Sequence, residues 1–199
     1  MTQYPEGTRQ ANNLRVRRTQ KLLREALIDL IEEKGFESLT VGEITQRAMV
    51  SRAAFYRNYQ DKYDLVEQIF EEAINTLLSA VDSANRTEHP PEVWVKFFEH
   101  IAGYERLYRA LLGRKGSPWF VTKMRASLTE MIKGHASTSN RLPDVDPRVF
   151  ADDFVPSLLA ALYVETITWW LEQGRPYTPR EIATRSARFA AAILREASL

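Results

Sequence analysis

At 199 residues the chain is long enough for one large domain or two small ones, and its 44% hydrophobic content is ordinary for a soluble globular protein. It has no cysteine, which excludes disulfides and thiolate metal sites and fits a reducing, cytoplasmic setting. The formal net charge of +1 says nothing about partners, but its distribution does: from Arg9 to Arg24 every charged residue is basic, and acidic residues resume only at Glu25. Such a block is either a solvated face or a phosphate-facing one, and composition alone does not choose.

The first residues lack the apolar core of a signal peptide, and no uninterrupted apolar stretch approaches the roughly 18 residues that span a bilayer, so no membrane partner is expected. Residues 1–13 are polar and are expected to fray. From Leu14 the pattern is helical, with Leu22, Leu23, Ala26, Leu27, Leu30 and Ile31 repeating at helical spacing until Lys34-Gly35 stops it.

Leu39-Thr40-Val41-Gly42-Glu43-Ile44 then spells a helix start. Thr40 and Glu43 form a capping box, and Leu39 and Ile44 a hydrophobic staple. That helix is short, running to Ala48. After Met49-Val50, Ser51 caps a second short helix from Arg52 to about Tyr59, with Val50 and Phe55 as its staple. Asp61 caps the next, which carries Leu65, Ile69, Ala73, Leu77 and Leu78.

The rest is helical too. Pro90-Pro91 opens one segment, Tyr104 to Leu112 forms another, and Ser117-Pro118, Asp146-Pro147 and Thr178-Pro179 each place a cap before a first-turn proline. Pro156 falls inside the long helix expected from Pro147, which predicts a kink there. The fold class is therefore all-α with about nine helices, and the domains are read as 1–62 and 63–199.

Two short capped helices joined by three residues have the dimensions of a helix-turn-helix. Phe55 and Tyr59 lie four apart and can face the core with Ile44, Ala48 and Leu27, which turns Arg52, Ala53, Tyr56 and Arg57 outward. A helix N-terminus with a guanidinium and a small side chain suits the major groove. Arg52 can donate to a guanine edge, and Ala53 lets the helix approach or meets a thymine methyl. Two adjacent short helices can also be mere packing elements; the basic first helix and the outward arginines favour the DNA reading.

The stretch LTVGEITQRAMVSRAAFYRNYQDKYDLV, Leu39 to Val66, resembles the DNA-binding signature of the tetracycline-repressor (TetR) family almost position for position. Thr40, Ile44, Ala48, Val50, Ser51, Tyr56, Lys62 and Leu65 match it. The resemblance implies phosphate contacts from Thr40, Ser51, Tyr56 and Lys62, base contacts from Arg52 and Ala53, and either role for Arg57. It places Arg17 and Arg18 near the backbone or minor groove. Two positions depart: Met49 stands where the family has a turn glycine, forcing a left-handed residue or a re-routed turn, and Thr45 stands for a common alanine.

The segments Leu107–Phe120 and Trp169–Gly174 are similar to a C-terminal subgroup that includes regulators of dihydroxyacetone metabolism. The last helix carries an apolar arc of about 200° (Ile182, Phe189, Ile193, Ala190, Leu194, Ala183, Ala187, Ala191), wider than the roughly 100° one core needs. With the helix ending at Trp170 it predicts a four-helix homodimer interface; burial within one subunit is the competing reading. Trp94, Phe98, Tyr108, Trp119 and Tyr163 are candidates to line an effector cavity, each competing with ordinary core packing.

Nothing points to catalysis. His89, His100 and His135 are scattered, and no GxSxG elbow, phosphate-cradling glycine loop or metal spacing occurs, so no enzyme, cofactor or metal is expected. The sequence thus predicts a homodimeric, ligand-responsive repressor that binds a double-stranded DNA operator. The alternative is a co-activator on the same scaffold that works through a protein partner.

Overall fold

The computed structural model describes residues 6–81, 92–138 and 145–199, with side chains described except at 6–13, 72–73, 75–81 and 135–138. The described residues form nine α-helices and no strand, in two compact units, Met1–Glu72 and Ala73–Leu199. The division falls at 72/73 rather than 62/63, because the first turns of the fourth helix group with the N-terminal head.

In the head, α1 (Glu6–Lys34) begins well before the expected Leu14. Leu23, Ala26, Leu27, Leu30 and Ile31 are buried at the predicted spacing, and Gly35 ends the helix at φ 85°, its amide donating to Ile31 O at 2.8 Å. In α2 (Val41–Arg47) the Thr40–Glu43 capping box is complete, and Leu39 and Ile44 are both buried. Arg47 holds α2 to α1 through a two-pronged bond to Glu33, at 2.8 and 2.7 Å.

Of the two outcomes open to Met49, it takes the left-handed conformation, at φ 52°. Val50 N donates to Thr45 O and Met49 N to Gln46 O, the two bonds that close a helix C-terminus around such a residue. α3 (Arg52–Tyr56) is shorter than expected: Asn58 and Tyr59 follow in a turn bonded to Phe55 O. α4 (Lys62–Val81) starts on Asp61, whose Oδ1 accepts from Asp64 N at 2.8 Å. Leu65 and Ile69 are buried as the pattern requires, while the side chains of Ala73, Leu77 and Leu78 lie outside the described residues.

The second unit comprises α5 (Glu92–Gly103), α6 (Glu105–Leu112), α7 (Pro118–Thr138), a 3-10 turn (Pro147–Phe150), α8 (Phe154–Glu172) and α9 (Pro179–Glu196). The Pro90-Pro91 start lies outside the described residues. α8 is the central element, packed on α6, α7 and α9, with α5 against α9. Its end is pinned twice: the Trp170 indole donates to Tyr177 O, and the Arg109 guanidinium to Leu171 O, both at 2.9 Å.

The predicted kink at Pro156 is corrected. The 3-10 turn ends at Phe150 and α8 begins only at Phe154, which puts Pro156 in its first turn. An amide there has no intrahelical acceptor, so proline costs nothing and the chain breaks before it instead of bending around it. α8 is also the one described helix long and apolar enough to cross a bilayer by composition, with half of that window buried inside the unit.

Candidate nucleic-acid interface

α3 separates its residues by face. Phe55 is fully buried and Tyr59 nearly so, while Ser51, Arg52, Ala53, Tyr56 and Arg57 are exposed, Tyr56 at 58%. The structure therefore brings five of the predicted DNA-facing residues onto one bare helical edge. Ser51 Oγ accepts from Ala54 N at 3.1 Å, which caps the helix and leaves its hydroxyl proton available to an outside acceptor.

Thr40 is exposed at the start of α2, but its hydroxyl donates to Glu43 Oε2 at 2.8 Å. Its proton is already used. Glu43 in turn is held down to about 2, first by its bond to the Lys34 ammonium and then by Thr40. Arg17 and Arg18 are exposed on α1.

Lys62 departs from the expected phosphate contact. It is only 8% exposed, and its ammonium donates to Phe36 O and Glu37 O, both at 2.9 Å, over the rings of Phe36 and Tyr63 at 4.7 and 5.2 Å. Burial lowers its pKa, with the charges of Glu37 and Asp61 acting against that. The ammonium thus closes the loop after α1, and its donors point into the protein.

One residue of the edge was missed from sequence. The Arg52 guanidinium folds back over Gly42, where a Cβ would stand 2.6 Å from Nη2. The available signal was a glycine inside the first turn of a short helix, a position where it normally weakens the helix.

In the second unit Phe98, Tyr108 and Tyr163 are buried, while Trp94 and Trp119 are half-buried. The structure joins Trp94 and Tyr163 in a parallel stack, 3.9 Å between centroids and 6° between planes. Burial alone pushes the Tyr163 phenol upward. Phe98 instead meets Trp170 edge-on at 5.5 Å, and Tyr108 Oη bonds His100 Nε2 at 3.0 Å. Among the described residues no cluster of three or more histidines, aspartates and glutamates could hold a metal.

Residues 23–69 match the bacterial regulatory proteins of the tetR family, and residues 88–191 match a transcriptional regulator C-terminal region. The chain belongs to the TetR family. As a TetR-family protein it is a transcriptional regulator, with its helix-turn-helix in the matched N-terminal segment.

Curated relatives of this TetR chain are similar over the head. YvkB, a helix-turn-helix-type regulator of Bacillus subtilis (strain 168), is 35% identical over 57 residues, 29% of this chain and 30% of its own. DhaS of Lactococcus lactis subsp. lactis (strain IL1403), a dhaKLM operon transcriptional activator, is 31% identical over 61 residues, 31% of this chain and 33% of its own. The chain thus spans about a third of the length of these two relatives.

Solved structures share the fold across nearly the whole TetR chain. A TetR regulator from Streptococcus agalactiae 2603V covers 91% of it and 98% of its own chain, at 20% identity and TM-score 0.59. The fatty acid degradation regulator FadR from Bacillus halodurans covers 89% and 96%, at 16% identity and 0.61. DhaS, the dihydroxyacetone kinase operon activator, covers 89% and 97%, at 15% identity and 0.55.

Proposed function

We propose that this regulator binds a near-palindromic DNA operator as a homodimer and releases it when a small molecule occupies the second unit. The reading rests on the bare N-terminal edge of α3, with Ser51, Arg52, Ala53 and Tyr56 outward and Phe55 inward. Free amides and the positive end of the helix favour phosphates, and Arg52 is the group for a guanine edge. Ser51, Tyr56 and Arg57, with Arg17 and Arg18, then position the head on the backbone. Two copies must present their α3 helices about 34–36 Å apart, one helical turn of DNA.

The effector is an apolar molecule taken up around α5 and α8, with Trp94 and Tyr163 as its first contacts. α4 runs unbroken from Lys62 to Val81 across the boundary at 72/73, so its tilt would change the separation of the two α3 helices. The protein acts in the cytoplasm, as a repressor. Activation is the competing sign, because the relative DhaS is named an operon activator.

The test is fluorescence anisotropy on DNA flanking the protein's own coding region, against random DNA at the same salt. A regulator of this kind binds the flanking DNA at least about 1000-fold tighter. Equal affinity for both would overturn operator recognition, and a promoter fusion then decides the sign.

A further inference from the structure

α8 carries one charged residue, Glu165, between Phe154 and Leu171. One side of the helix is buried through Val155, Leu159, Tyr163, Ile167 and Trp170. The other bears Phe154, Leu158, Leu162, Glu165 and Trp169, spaced by four, four, three and four residues in one stripe. Phe154 is 73% exposed, Leu158 45% and Trp169 42%. A helix this apolar all round is ordinarily covered on every side. Beside it, α9 buries Ile182, Ala183, Ser186 and Ala190 within the unit but leaves Phe189 63% exposed.

The charges on these two uncovered faces are complementary. Glu165 is exposed and makes no hydrogen bond or ion pair with any described residue. On α9, Arg180, Arg185 and Arg188 line an open groove together with Phe189. Arg180 is bound to Glu92 at 3.0 Å, and Arg185 lies flat over Tyr177 at 4.0 Å. Arg188 has no partner among the described residues. Glu165 sits about two turns before the end of α8, and Arg188 about two and a half turns into α9, so both lie at similar depth from the α8–α9 connection.

On the homodimer reading a second copy of this chain covers the α8–α9 face; across it, we infer, Glu165 of each copy pairs with Arg188 of the other. The inference rests on the homodimer reading and adds to it the pair that sets the alignment. A lone carboxylate in an apolar seam is tolerated only where a cation meets it, so it penalises every sliding or rotation that separates the two. A twofold axis makes the contact occur twice, since the same patch serves on both copies.

The experiment measures dimer dissociation of the full chain by sedimentation for wild type, Glu165→Lys and Arg188→Glu, each alone, and for an equal mixture of the two variants. Each variant alone should dissociate at least about tenfold more readily. The mixture should recover wild-type affinity as a heterodimer, because both contacts then join opposite charges, one as in wild type and one with its signs exchanged. Pairing within one copy could not be rescued by mixing. Glu165→Gln and Arg188→Gln, which remove charge without reversing it, serve if a reversed variant fails to fold, and each should weaken the dimer in the same direction. Variants that dimerise like wild type, or a mixture without preference for the heterodimer, overturn the pairing while leaving the dimer intact. A wild type that is monomeric at micromolar concentration overturns the dimer itself.

Discussion

Arg52 lies along α2 only because residue 42 has no side chain: its Nη2 occupies the space that a Cβ on Gly42 would claim. The guanidinium proposed to read bases is thus positioned by a residue ten places earlier, on the other helix of the motif. Gly42→Ala should move it. The substitution favours helix formation by up to about 1 kcal/mol, so the head should melt no lower than wild type. Discrimination between operator and random DNA should fall by about 1 kcal/mol, because Arg52 loses its resting surface. Unchanged discrimination would show that Arg52 reads DNA without support from α2.

Met49 is 94% exposed at φ 52°, so its side chain contributes no packing while its backbone bears the cost of a left-handed residue. Met49→Gly should stabilise the head by about 1 kcal/mol, visible as a higher melting temperature with DNA affinity unchanged. A lower melting temperature would contradict this account of the turn.

Lys62→Met keeps the aliphatic stem but leaves the carbonyls of Phe36 and Glu37 without their donor. A loss of about 1.5–3 kcal/mol in head stability is expected, with no change in the salt dependence of DNA binding. If instead the log–log salt slope fell by about one unit while stability held, Lys62 would be a phosphate contact after all.

These three residues mark where the sequence was legible and where it was not. The capping box at Thr40, the cap at Ser51 and the buried Phe55 are local signals, carried by residues within a few positions of one another, and they set the head and its exposed edge. Lys62 reaches back 26 positions to the Phe36 carbonyl, and Arg52 depends on Gly42 across a turn. Neither spacing leaves a periodic trace. Pro156 misled for the opposite reason: the local rule for proline was right, but the helix start that decides its effect lay seven residues from where the Asp146 cap had placed it.

Glu43 supplies a pH dependence. Its carboxylate is held at about 2, chiefly by Lys34 and then by Thr40, well below the value in an unfolded chain. Its contribution is therefore present above the unfolded carboxylate range and lost as pH falls toward 2. The melting temperature of the head should drop between about pH 5 and 2, and less steeply in Glu43→Gln. Glu33, lowered by its bond to Arg47, keeps part of the slope in that variant. An identical slope in both proteins would remove Glu43 from the account.

Whether the outward edge of α3 reads base identity is decided by Arg52→Ala. Affinities of wild type and variant are measured on the operator and on random DNA at one fixed salt concentration. A loss of about 1–3 kcal/mol on the operator and little change on random DNA are expected. An equal loss on both would make Arg52 a phosphate contact and contradict the claim.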